Sequence, residues 1–125
     1  MKMLLYVGIG SFLGGVARYG LTRFVAEGVV SELPLGTFVV NIVGCFLLGL
    51  LYQLFSAVFS PSEGIRLLLT VGFCGGFTTF STFVAEDLTM LSSARFFIAA
   101  IYAVLSVLIG LAAMWLGMRC AGLFS

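Results

Sequence analysis

"GFCGGFTTFSTF" spans residues 72–83 and interrupts a strongly apolar stretch of chain. Two adjacent glycines, Gly75 and Gly76, are followed by Thr78 and Thr79, and phenylalanines stand at 77, 80 and 83. The segment lies inside an apolar run of about residues 66–91, whose middle falls at about Thr78. A helix break there would sit near the midplane of a bilayer. Irregular backbone at that depth survives only where protein buries it or where it lines a cavity. Discontinuous helices of this kind place free carbonyls and N–H groups where ions bind. The glycines supply flexibility, so a non-helical stretch is expected within about residues 74–79. Phe80 and Phe83, three apart, share a face once helix resumes. The competing arrangement is an unbroken helix whose glycines merely pack closely; Gly-Gly followed by Thr-Thr favours the break.

Working outward, the whole chain is built for lipid. Of its 125 residues, 62% are hydrophobic and only 9% charged, against roughly 25% charged in a soluble domain. Four segments, about 3–26, 35–59, 66–91 and 95–119, each reach the roughly 20 residues that a membrane-spanning helix needs. The expected fold is therefore an all-α integral membrane protein, one four-span domain over 1–125 with a broken third helix. The connections "EGVVSELP", "SPSEG" and "LSSAR" hold the turn and polar residues. Pro34 and Pro61 sit at segment starts, where a missing N–H costs little. The first segment follows Lys2 but is too long for a signal peptide and lacks a clear small-x-small cleavage site. A net charge of +1 offers no basic patch for nucleic acid. Cys45, Cys74 and Cys120 are widely spaced, with no histidine to join them, which suits buried apolar thiols rather than zinc or a disulfide framework.

Charge leaves the orientation undecided. Four spans put both termini on one side with Lys2, Arg66 and Arg119; the other side has Arg23 and Arg95, with Arg18 deeper in the first span. The positive-inside rule needs an excess, so the chain should insert both ways up. Oppositely inserted copies pair as an antiparallel homodimer whose two-fold axis lies in the membrane plane. Gly10-x-x-x-Gly14 and Ala113-x-x-x-Gly117 offer the close helix approach such pairing can use.

A few polar side chains stand where lipid or protein should surround them. Asn41 lies in "GTFVVNIVG"; its amide serves either as a helix–helix hydrogen bond or as a ligand contact. Arg18 must snorkel, pair or face water; the sharper option is a positive charge at the floor of a wet vestibule that attracts anions. Arg23 is closer to the interface and suits an anchor. Glu86 and Asp87 could face Arg23 or Arg95, or mark the interface. Tyr102 and Ser106 are four apart and share a face that Gly110 continues, either a hydroxyl track along a pore or ordinary packing. Enzyme chemistry is poorly supported: the chain has no histidine, no Gly-x-Ser-x-Gly and no phosphate-binding Gly-Lys-Ser/Thr loop. Transport or a structural membrane subunit is left. A small dual-topology multidrug or cation exporter is the main alternative, but it needs a carboxylate in the membrane interior, and the first two spans hold none in theirs.

The stretches "GGVARY" at 14–19, "GTFVVNIVG" at 36–44 and "GFCGGFTTFSTF" at 72–83 together resemble the Fluc family of small fluoride channels, and the resemblance runs along the whole chain. It implies an antiparallel dual-topology homodimer in the cell inner membrane with two pores that pass fluoride out of the cytoplasm. It also implies a structural sodium ion at the dimer centre, held by carbonyls at the positions of Gly75 and Thr78. Pore roles carry over to Asn41, Phe80 and Phe83, with Ser81 and Thr82 nearby, and Tyr102 and Ser106 match a hydroxyl face. Some members extend that face with a serine where this chain has Gly110. Hydrofluoric acid crosses membranes neutral and dissociates inside, so a passive channel suffices to let the trapped anion leave. Phenylalanine ring edges are electropositive, and together with an amide and hydroxyls they can hold an anion moderately, as conduction requires. Reporter fusions at the C-terminus are expected to be active on both sides of the membrane; activity on one side alone would exclude the antiparallel pair.

Overall fold

The computed structural model describes residues 1–28 and 33–123. Of the expected first connection, residues 27–34, positions 29–32 lie outside the described residues. Helix α1 covers Lys2–Gly28. Helix α2 covers Leu35–Gln53 and continues as a π-helical stretch, Leu54–Val58. The third span starts as α3, Glu63–Leu67, widens into a π-helical stretch, Leu68–Cys74, and closes with one α turn, Gly75–Phe77. After a non-helical interruption at residues 78–80, α4 covers Ser81–Ser92. Helix α5 covers Phe96–Gly122. Four segments are thus long and apolar enough to cross a membrane: Lys2–Gly28, Leu35–Val58, Glu63–Ser92 and Phe96–Gly122. The protein is an all-helical, multi-pass membrane protein.

Local chemistry marks the element ends. The Ser62 hydroxyl accepts the Ile65 N–H at 3.3 Å, capping α3 just after Pro61. Glu63 in the first turn and Arg66 in the last match the helix dipole. At the start of the π stretch, the Thr70 hydroxyl donates to the Arg66 carbonyl at 2.7 Å, a back-bond to i−4 that bends a helix. The turn between α4 and α5 runs through Ala94 at φ 58°, with the Arg95 N–H bonded to the Met90 carbonyl at 2.9 Å.

Small residues then set which helices touch. A methyl added at Gly10 would strike the Leu68 carbonyl oxygen, and one at Gly14 the Phe73 carbonyl oxygen. These glycines seat α1 directly on the third span. On the other side of the bundle, Gly49 lies against the Met114 carbonyl and Gly117 against the Phe46 carbonyl, with Ala113 buried beside them, so α2 and α5 are equally close. Both small-residue seams are therefore filled within the chain by its own helices, and not left open for a second copy as the sequence suggested. Lipid offers no hydrophobic drive between helices, so close backbone contact is the available gain, and the chain's own neighbouring helices take it.

The break also differs in detail from its expected position. Gly75 stays helical at φ −64°, ψ −38°, and the chain leaves helix only at Thr78, extended at φ −90°, ψ 162°. The glycine at 76 serves close approach instead of backbone freedom: a Cβ there would meet the Ser11 carbonyl oxygen at 2.7 Å. Outside these seams the helices present lipid-facing apolar surface. Phe12 is 70% and Phe97 78% exposed, a pattern that water would not tolerate over such an area. A small core, Met90, Ala99 and Tyr102, packed by Phe38, Phe83 and Ile98, ties α4 to α5.

The seams make a graded prediction. Gly14→Ala should destabilise the protein in detergent by about 1–3 kcal/mol, because backbone cannot yield to the methyl. Gly8→Ala, whose added methyl meets nothing within 4 Å, should instead be neutral or stabilise by up to about 1 kcal/mol. Unfolding titrations of both variants against wild type check the contrast.

Candidate functional site

Interrupting a helix frees backbone groups, and each must find a partner. At the break, the Thr78 N–H and hydroxyl both donate to the Cys74 carbonyl, at 3.1 and 3.0 Å. Thr79 finds its partner on α2. The Asn41 Nδ2 donates to the Thr79 carbonyl at 2.9 Å, and the Asn41 Oδ1 accepts the Thr79 N–H at 2.7 Å. One side-chain amide thus pairs with both faces of one peptide residue, as a neighbouring strand would. The Thr79 hydroxyl accepts the Thr82 N–H at 3.2 Å, so a threonine caps the first turn of α4. The Gly75 and Thr78 carbonyls accept no hydrogen bond among the described residues.

Of the two roles open for Asn41, the hydrogen-bonded one is present. It does not exhaust the side chain, since a primary amide carries two N–H donors and one is spoken for. Asn41 lines a groove of about 530 Å³ together with Gly75, Thr78, Phe80, Phe83 and Ser106. Six of the residues singled out from sequence therefore converge on one cavity beside the break. The Phe80 and Phe83 rings stand 6.0 Å apart, tilted by 45°, and Phe80 is 76% exposed. Phe77 is different: it is buried and stacked on Phe73 at 5.7 Å. The Ser106 hydroxyl is buried with no hydrogen-bond partner among the described residues, on a residue that lines the groove.

Four of the singled-out residues lie outside the groove lining. Ser81 is exposed, its hydroxyl 3.5 Å from that of Thr79; Thr82 enters through its backbone N–H. Arg18 reaches inward, and its Nε donates to the Gly76 carbonyl at 3.3 Å. Tyr102 is buried, 5.0 Å from the Phe83 ring, and its hydroxyl donates to Glu86 at 2.9 Å. The other Glu86 oxygen accepts the Thr37 hydroxyl at 2.8 Å. Glu86 thus faces two hydroxyls rather than Arg23 or Arg95. Asp87 has one buried oxygen without a partner among the described residues. Arg23 pairs instead with Glu27 at 3.1 Å, in keeping with an interfacial anchor.

Thr37 and Thr79 were not singled out from sequence, and Glu86 was read as facing Arg23 or Arg95 or as marking the interface. A signal existed for two of them. Thr37 precedes Asn41 by four residues and Glu86 follows Phe83 by three, so each shares a helix face with a residue already marked. Thr79 acts through its backbone, which no side-chain pattern reveals.

A largely apolar groove with a few polar groups at an interrupted helix, held inside four apolar spans, defines a small membrane protein of the ion-handling kind. Residues 5–118 match the family model described as CrcB-like protein, Camphor Resistance (CrcB), and the chain belongs to that family. The relatives carry a more specific name. A Fluoride-specific ion channel FluC from Phocaeicola vulgatus is 44% identical over 117 residues, covering 94% of this chain and 96% of its own length. Proteins of the same name from Flavobacterium psychrophilum and Nitratidesulfovibrio vulgaris are 40% and 38% identical, and the matches cover 97% and 94% of this chain and 98% and 95% of theirs.

The amide at position 41 is testable apart from any transport. Asn41→Ala leaves the Thr79 N–H and carbonyl unpaired and should destabilise the fold by about 1–3 kcal/mol. Asn41→Asp should cost more, because it turns an acceptor toward the Thr79 carbonyl. Detergent unfolding midpoints of the two variants give the order.

Proposed function

We propose that this protein is a passive, fluoride-selective channel that lets fluoride leave the cytoplasm across the inner membrane, acting as an antiparallel, dual-topology homodimer. The observation that carries the reading is the groove at the break. It gathers the Asn41 amide, the Phe80 and Phe83 rings and the partnerless Ser106 hydroxyl around one cavity. These groups offer partial positive charge without a fixed cation. An anion is held there by ring edges and N–H or O–H donors, tightly enough to shed water and loosely enough to leave. The names of the relatives support fluoride as the anion. The near balance of Lys and Arg between the two sides supports insertion in both orientations.

The donor set at the break fits a structural sodium ion. The Gly75 and Thr78 carbonyls are hard oxygen donors with no hydrogen bond among the described residues, and hard cations take such oxygens. In a two-fold dimer, two carbonyls from each subunit would hold the ion, which supplies positive charge and satisfies oxygens that lipid cannot. The chain's own residues do the rest. Asn41 and Thr78 fix the backbone, Phe80 and Phe83 line the anion's way, and Tyr102 holds Phe83 from behind. Tyr102 and Thr37 also share the negative charge of Glu86, which lowers its repulsion of a passing anion. A proton-coupled drug exporter is not favoured. Its carboxylate must exchange protons with substrate, whereas Glu86 is engaged by two hydroxyl donors and the groove is lined by no carboxylate among the described residues.

The deciding measurement is anion efflux from liposomes, with fluoride and chloride compared. Fluoride flux without chloride flux is expected. Phe80→Ile and Phe83→Ile should each reduce fluoride flux sharply while dimer stability changes by no more than about 1.5 kcal/mol. Phe77→Ile should be milder in flux, because Phe77 packs on Phe73 away from the groove. Equal flux for wild type and both groove variants would return Phe80 and Phe83 to packing.

A further inference from the structure

We infer that Arg18 is a positioning residue: its Nε–H holds the Gly76 carbonyl and so determines which carbonyls of the break stay free. The argument begins on α1. Gly10, Gly14 and Arg18 follow at intervals of four and share one helix face. The first two lie against the backbone of residues 68–77, so the third must meet the end of the same stretch. Helical side chains lean toward the helix N-terminus, and Arg18 accordingly reaches back to Gly76, which itself lies against Ser11 and Gly15.

An arginine among apolar residues needs compensation. Among the described residues the one ion pair is Arg23–Glu27, so no carboxylate offsets Arg18. Its hydrogen-bond partner is the Gly76 carbonyl. Taken in chain order, the carbonyls of the break then fall into a pattern. Cys74 is taken by Thr78, Gly76 by Arg18 from α1, and Thr79 by Asn41 from α2. The Gly75, Phe77 and Thr78 carbonyls accept no hydrogen bond among the described residues. Two side chains from two different helices therefore engage carbonyls that alternate with the open ones. Without Arg18, the Gly76 peptide would be free to rotate its oxygen toward the same space, and the register of open carbonyls would be lost. The role is one of donor geometry, distinct from attracting anions by charge.

Side-chain connectivity separates the two roles. Glutamine carries an N–H on the atom that corresponds to arginine Nε, without the charge. Lysine keeps the charge but has carbon at that atom, and methionine has neither. Hydrogen–deuterium exchange of the Thr78, Thr79 and Thr82 amides, in the full-length protein in detergent, reads the break directly. Arg18→Gln should protect these amides as wild type does. Arg18→Lys and Arg18→Met should each speed their exchange by about tenfold, the scale of one hydrogen bond to a charged donor. Protection across Phe96–Gly122 should be unchanged in all three, which reports that each variant is folded. Fluoride efflux should follow the same order, with Gln close to wild type and Lys and Met reduced.

Fast exchange in Gln with protection in Lys would make Arg18 a charge and overturn the inference. Equal exchange in all variants, or fast exchange in Gln and Lys alike, would overturn it too. The flux arm rests on the channel reading given above; the exchange arm does not. If wild-type liposomes pass no fluoride, that reading fails while the exchange order still decides Arg18.

Discussion

The structure depends on one exchange of hydrogen bonds, that between the Asn41 amide and the Thr79 peptide. A helix interrupted within an apolar span leaves N–H and C=O groups that lipid cannot satisfy, each at a cost of several kcal/mol. Asn41 closes two of them from a helix that is continuous through that point. The pairing also fixes how α2 faces the break, and with it the wall of the groove. The break is therefore as much a property of α2 as of the third span.

Close approach makes that exchange reachable. Gly44, one turn beyond Asn41, has no room for a Cβ because the Thr78 methyl occupies the place. Glycines in α1 and α5 draw the other spans inward in the same way, so that backbone lies on backbone. The result is a bundle whose dry contacts are built from small residues and whose large side chains mostly face outward. Bulk enters the interior at few places, among them Phe77, Tyr102 and Val40. Two of these flank the site: Phe77 ends the turn before the break, and Tyr102 supports Phe83.

The polar groups form two zones of different character. At the break, a few neutral polar groups and the Phe80 and Phe83 rings line a cavity, and the open carbonyls lie beside them. Farther along α4, Glu86 gathers the hydroxyls of Thr37 and Tyr102. Tyr102 belongs to both zones, with its ring on Phe83 and its hydroxyl on the carboxylate. A displacement of α5 would be felt at once by the aromatic wall and by the charged end.

Composition and apolar run length determined the fold class and the four spans, because lipid permits few backbone solutions and demands long apolar helices. The amide at 41, the phenylalanines at 80 and 83 and the serine at 106 were legible as outliers or as face-sharing pairs. Tertiary contact decided the rest. Gly75 and Gly76 read as hinges, yet they remain helical, since whether a glycine serves freedom or closeness depends on what lies against it. For Gly76 that is the α1 backbone. Gly10-x-x-x-Gly14 and Ala113-x-x-x-Gly117 mark close approach in any sequence, but spacing does not say which helix approaches, and here both seams are filled within the chain. Whether Arg18 snorkels, pairs or faces water, and whether Glu86 faces an arginine or the interface, stayed open in the sequence, because hydrogen-bond partners 58 and 49 residues away in the chain leave no local trace. Only the packing of α1, α2 and α5 around the break brings them together.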